Sequence, residues 1–138
     1  MNRDNYELSK YRLEKAKEDL NTAIENLVNT HLSGSINRSY YSIFHAIRAI
    51  LALDGFDSKK HSGVIAYFRQ NYIKTNIFDK IYSEIIGSAF EIRNRNDYDD
   101  FVIIDIGEAD KQVANARLFL GIVEVYLENR WKCICKEE

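Results

Sequence analysis

The 138-residue sequence has no proline, only two cysteines and no excess of positive charge. Without proline, no helical pattern is interrupted by a residue that removes a backbone donor and crowds the preceding turn. The thiols of Cys133 and Cys135 are separated by one residue. That spacing is poor for an internal disulfide, and two thiolates do not complete a tetrahedral zinc site. A reduced, cytoplasmic location is the plain expectation. Lys and Arg number 19 against 21 Asp and Glu, a net charge of -2, which excludes a generally basic nucleic-acid binder. Any contact with nucleic acid must come from a local basic cleft. No stretch reaches the roughly 18 consecutive apolar residues of a membrane helix, and the opening Met-Asn-Arg-Asp-Asn-Tyr-Glu has no apolar signal core. Also missing are a glycine-rich phosphate loop, a Gly-x-Ser-x-Gly elbow and a His-Glu-x-x-His motif. Neither a metal nor a cofactor is expected.

What is present is helical patterning. An apolar fraction of 46% and a charged fraction of 29% suit one globular domain over residues 1–138. A chain of this length buries roughly two thirds of its unfolded surface, so it needs no covalent staple. Leu13, Ala16, Leu20, Ala23 and Leu27 recur at three- and four-residue steps, with Ile24 and Val28 widening the stripe. Ser33-Gly34-Ser35 reads as a turn. The second segment, about 35–54, carries two stripes, Ile36, Tyr40, Ile43, Ile47 and Ile50 beside Tyr41, Phe44 and Leu51. A helix apolar on two sides is covered on two sides, which makes it the central one.

Asp54-Gly55 ends that helix, and Ser58 is the expected N-cap of a shorter third helix through Val64, Ile65, Phe68 and Tyr72. The fourth, about 76–94, carries Phe78, Ile81, Ile85, Ala89 and Ile92. The fifth starts at Asp105, three residues before Glu108, a spacing like a capping box with aspartate in place of Ser or Thr. Phe101 to Ile104 is the only strand-like run; without a partner it reads as an extended linker. Short connections between long amphipathic helices predict an all-α, up-down bundle of four or five helices, with a frayed tail from about 131.

The polar residues gather in three places. On the second helix Arg38, Tyr41 and His45 share a face at three- and four-residue spacing, with Asn37 and Arg48 close by. They suit an anion, or else a packed tyrosine, a capping histidine and a paired arginine. Lys59-Lys60-His61-Ser62-Gly63 opens the third helix, where free N–H groups and two lysines favour an anion. Equally, the lysines are simply solvated there and His61 bonds a loop carbonyl. Arg93-Asn94-Arg95-Asn96-Asp97-Tyr98 packs two guanidiniums, a carboxylate and a phenol where a helix runs out. An arginine fork fits phosphate oxygens better than a lysine does. The bland alternative is a solvated cap with Asp97 paired to an arginine.

Three stretches together, Asn37-Arg38-Ser-Tyr40-Tyr41-Ser-Ile-Phe44-His45-Ala46, then Lys60-His61-Ser62-Gly63-Val64, then Arg93-x-x-x-Asp97-Tyr98, resemble the HEPN domain family. The likeness is to its small stand-alone prokaryotic members and covers nearly the whole chain. It implies a helical bundle, often a homodimer, acting as the toxin-like half of a two-gene module with an MNT-type nucleotidyltransferase. Many members are metal-independent RNA endonucleases built on an arginine, an adjacent polar residue and a histidine four to six residues later. In some modules the nucleotidyltransferase silences the toxin by attaching AMP to a tyrosine near that motif. Carried across, Arg93 and Asn94 take the first two positions, and Tyr98 is the tyrosine to watch. No histidine stands four to six residues after Arg93. A phenol is a poor base, and a carboxylate beside arginines a weak one, so His45 or His61 must enter the cleft to replace it. The expected catalytic set is therefore Arg93, Asp97, Tyr98 and His61. Arg38, Tyr41, His45, Asn94 and Arg95 would hold the phosphate of RNA or a nucleotide.

Overall fold

The computed structural model describes residues 3–136, with side chains to 134. Five helices run in order: α1 (Arg3–Val28), α2 (Leu32–Leu53), α3 (His61–Phe68), α4 (Ile81–Tyr98) and α5 (Ile106–Lys136). One π-helical turn, Arg69–Ile73, continues α3. No strand occurs among the described residues, so the bundle is all-α.

The two apolar stripes of α2 place it at the centre. Ile36, Ile43, Ile47, Ile50 and Leu51 are all but sealed from water, each worth about 1.5–3 kcal/mol of burial. On one side lies α1, brought close by Ala16, Ala23, Ala46 and Ala49. Three buried serines tie these two helices together: Ser9 Oγ donates to the Ala49 carbonyl at 2.6 Å, Ser35 to Ala23 at 2.8 Å and Ser42 to Ala16 at 2.8 Å. On the other side α5 buries Ala116, Phe119, Leu120, Val123 and Leu127. From α3 and its π turn come Val64, Phe68 and Tyr72, and α4 closes the bundle with Ile85, Ile86 and Ala89.

Several boundaries differ from the sequence reading. Ser33-Gly34-Ser35 is helical; the turn lies at 29–31, where Thr30 takes φ 58 and His31 N–H reaches the Asn26 carbonyl at 2.7 Å. Gly34 serves close approach, since a Cβ there would stand 2.9 Å from Asn26 Nδ2. Ser58 does not cap α3: its hydroxyl accepts from Lys60 N at 3.3 Å, and the helix opens at His61. The stretch from 76 is not helical. Asn76 has φ 62, and Asp79 Oδ1 receives Ile81 N at 2.9 Å, so α4 begins there and runs on to Tyr98. Asp105 does cap α5, accepting from Gly107 N at 2.8 Å, but Glu108 turns to Arg95 and leaves the box half made. In the tail from 131, α5 is helical to Lys136 with Ile134 buried, and residues 137–138 lie outside the described residues. Cys133 is exposed, and the Cys135 side chain lies outside the described residues.

Candidate functional site

Periodicity puts Tyr40 and Tyr41 on adjoining faces of α2, and two other helices meet there. The first residue of α3, His61, sets Nδ1 2.8 Å from Tyr40 OH and stacks on Phe44 with ring centres 4.1 Å apart. From α4, Arg93 Nη2 donates to Tyr41 OH at 3.2 Å. Its guanidinium carbon lies 5.2, 5.5 and 5.9 Å from the ring centres of Tyr40, Tyr41 and Tyr98, in range of cation–π attraction. Arg38 approaches the Tyr41 ring at 5.0 Å. Thus His61, Arg93, Tyr41 and Arg38, named from the sequence, form one cluster, with Tyr40 as its hub.

Gly63 explains how His61 is placed. A Cβ on it would meet Ser58 Oγ at 2.5 Å and Ser58 Cβ at 3.1 Å, so glycine lets the incoming loop lie against the first turn of α3 without displacing Ser58. That is the physical content of the His-Ser-Gly run.

The charges are partly matched. Arg93 Nε lies 2.9 Å from Asp97 Oδ2, an ion pair within one turn of helix but off the line of the N–H, so not a hydrogen bond. Arg93 is otherwise well enclosed, its side chain 14% exposed, and Asn94 Oδ1 accepts from it at 3.4 Å. Arg38 donates to Asp19 at 3.0 Å and to Asn37 at 2.9 Å. Burial pushes the His61 imidazole below its usual range, helped by Arg93 and Arg48, so it is neutral at pH 7. Burial likewise holds the Tyr40 phenol protonated, although Arg93 opposes this.

Other expected members stand differently. His45 is driven down to about 4 by burial, with Lys15, Arg48, Arg12 and Arg38 adding to it. It is therefore uncharged at neutral pH and sits 3.7 Å from Asp19, whose carboxyl burial raises. Arg95 turns away to Glu108 on α5. Tyr98, 73% exposed, ends α4 at the rim. Arg48, which the sequence placed near this face without a role, pairs with Asp57 at 3.0 Å, as does Arg12 at 3.2 Å. Arg48 and Asp57 line an open groove of about 520 Å³ with Phe44, Ser58, Lys59 and His61. Arg48 and Lys59 against the single carboxylate of Asp57 leave its lining cationic. The sequence gives Tyr40 a stripe position and a place in the first of the three resembling stretches but no site role, because a stripe position gives no hint of where a hydroxyl points. No group of three or more His, Cys, Asp or Glu among the described residues is placed to hold a metal, and no described helix is long and apolar enough to cross a membrane.

The HEPN domain family matches residues 9–126. A Methanocaldococcus jannaschii protein named as a candidate toxin is 37% identical over 116 residues, covering 83% of this chain and 78% of the relative. A second candidate toxin from that organism is 32% identical over 98 residues, 71% of this chain and 73% of the relative. A UPF0332 protein of Thermotoga maritima is 31% identical over 119 residues, 86% and 90% of the two chains.

Proposed function

The chain belongs to the HEPN family, and from that membership we propose a toxin-like protein that binds the phosphate of RNA or a nucleotide at the Arg93 cluster. Two relatives named as candidate toxins support the toxin-like part. The observation that carries the site is the meeting of His61 and Arg93, from α3 and α4, on the adjacent tyrosines of α2. It supplies from another helix the histidine that the Arg93 segment lacks.

The activity we assign is metal-independent RNA cleavage. The ribose 2'-oxygen attacks phosphorus and its proton passes to His61. Arg93 holds the charge of the phosphorane, and the bond to the 5'-oxygen breaks as that oxygen takes a proton from water, leaving a 2',3'-cyclic phosphate and a 5'-hydroxyl. His61 is neutral and so ready to accept a proton. In the tautomer this step uses, Nδ1–H donates to the Tyr40 oxygen, which fixes the ring and leaves the Nε2 lone pair to take the proton. Asp97 steadies Arg93 instead of acting as the base. Arg48 and Lys59 line the groove along which a strand would continue. The protein acts in the cytoplasm as a homodimer, beside an MNT-type nucleotidyltransferase. The exposed Tyr98 hydroxyl is the acceptor for AMP from ATP, with pyrophosphate leaving.

Labelled RNA incubated with the purified protein in chelator tests the reading. Cleavage is expected, and Arg93→Ala should lower it by about 100-fold or more, the usual cost of losing a transition-state donor. Equal cleavage by both proteins, or none by either, removes the ribonuclease assignment. A second reading, a non-catalytic interaction module, is favoured by a different feature. Phe101 and Ile103, 100% and 92% exposed, stand beside Tyr98 as an uncovered apolar rim. It predicts intact RNA throughout, with Phe101→Ser weakening capture of the nucleotidyltransferase.

A further inference from the structure

Between α3, its π turn and α4 lies a cavity of about 360 Å³, within the size range of small-ligand sites. Two local features that a plain bundle has no need of coincide there. A glycine, Gly87, occupies the interior of α4, where it weakens a helix. The π turn at Arg69–Ile73, a rare form found frequently at functional sites, contributes Arg69 and Gln70 to the lining. A Cβ at Gly87 would press on Arg69 Nη2 at 3.2 Å, so the glycine keeps both the guanidinium and the space. Arg69 is fixed by Ser83, Nε to Oγ at 2.9 Å and Nη2 to the carbonyl at 3.1 Å.

The lining is two-sided. Ile65, Ala66, Ile86 and Phe90 form an apolar wall, while Gln70, Arg69 and Lys74 bring polar and cationic groups to the opening. The cavity also lies next to the Arg93 cluster. Phe90 lies against Tyr40, ring centres 6.1 Å apart, and Ser62 on the cavity wall directly follows His61. Along α4, Ile86, Phe90, Arg93 and Asp97 recur at four-, three- and four-residue steps and so share one face. Phe90 and Arg93 are about one turn apart, roughly 5 Å of rise.

We infer that this cavity is a nucleobase subsite, holding the base of the nucleotide whose phosphate sits at Arg93. A base has flat apolar faces suited to Phe90 and the aliphatic wall, and a polar edge suited to Gln70. The basic rim matches an anionic ligand. This rests on the phosphate reading of Arg93, and the experiment separates the two.

Calorimetric titration would compare AMP with ribose 5-phosphate, which lacks the base, on the native protein and on Ala66→Phe, Ala66→Ser and Arg93→Ala. Ala66 is exposed on α3, so the phenyl group fills the cavity without forcing the core, and an unchanged melting temperature checks this. AMP should bind at least about fivefold more tightly than ribose 5-phosphate, the lower end of what stacking one base contributes. Ala66→Phe should abolish that margin and leave ribose 5-phosphate unchanged, while Ala66→Ser keeps the margin. Equal binding of AMP and ribose 5-phosphate together with equal binding of pentaadenylate and its abasic analogue, or a margin that survives Ala66→Phe, overturns the subsite. Ribose 5-phosphate bound as tightly by Arg93→Ala overturns the phosphate reading instead, whatever AMP does. Absence of binding by AMP, ribose 5-phosphate and pentaadenylate overturns both. A margin confined to pentaadenylate against its abasic analogue identifies an RNA strand as the source of the base. A margin already present with AMP identifies a free nucleotide.

Discussion

His61 and His45 show how one residue type takes two roles from its surroundings. His61 is only partly buried, opens α3 and faces a groove, whereas His45 sits against α1 with Nδ1 buried and unpartnered. If His61 accepts the proton, cleavage should rise with pH through a pKa below the usual histidine value and level off towards neutral pH. His61→Gln should lower the plateau and remove the acid limb; a limb that persists would exclude His61 as the base. His45 acts on stability. The unfolded chain takes up this proton near pH 6.5, the native state only near 4. Stability is therefore full above 6.5 and lost as pH falls towards 4. Between pH 7 and 5 the loss should be about 2 kcal/mol in urea titrations, and His45→Asn should flatten that slope. Raised Asp19 works in the opposite direction and trims the effect.

At the scale of elements, the site depends on how helices approach one another. Gly63 and Ser58 share one space, so Gly63→Ala should displace the start of α3 and reduce cleavage about tenfold or more. Ser58→Gly in the same protein should restore most of the loss, although Lys60 N then lacks its acceptor. A double variant no better than Gly63→Ala would show that the steric account is wrong. The serine rungs between α1 and α2 are smaller matters. Ser42→Ala removes one hydrogen bond to a carbonyl and should cost about 1 kcal/mol by urea denaturation.

For the whole molecule, a second polar network fastens the end opposite α4's last turn. Arg130 on α5 donates to Asp54 at 2.7 Å, to Tyr72 OH at 2.7 Å and to Tyr126 OH at 2.9 Å, while Tyr72 OH donates to Asp54 at 2.5 Å. It joins α5, the π turn and the end of α2. Burial and the Asp54 bond both keep the Tyr72 phenol protonated, and so able to donate. Asp54→Ala strands the other members and should cost about 2 kcal/mol, discounted for the partial exposure of the pair. Because this network lies away from Arg93, ligand binding should be unchanged, which calorimetry on the variant would show.

The sequence by itself determined the all-α bundle and the central place of α2, because apolar residues at helical spacing can be satisfied only by burial on the matching sides. It also marked the positions of Arg38, Tyr41, His61 and Arg93. Boundaries escaped it where tertiary contact overrode local preference: Gly34 is held in a helix by the approach of α1, and Glu108 is drawn from its cap to Arg95. Only the folded arrangement decided that His61 meets Arg93 and that His45 and Arg95 do not. Such neighbours come from different helices, and spacing along a chain carries no information about distance across a bundle.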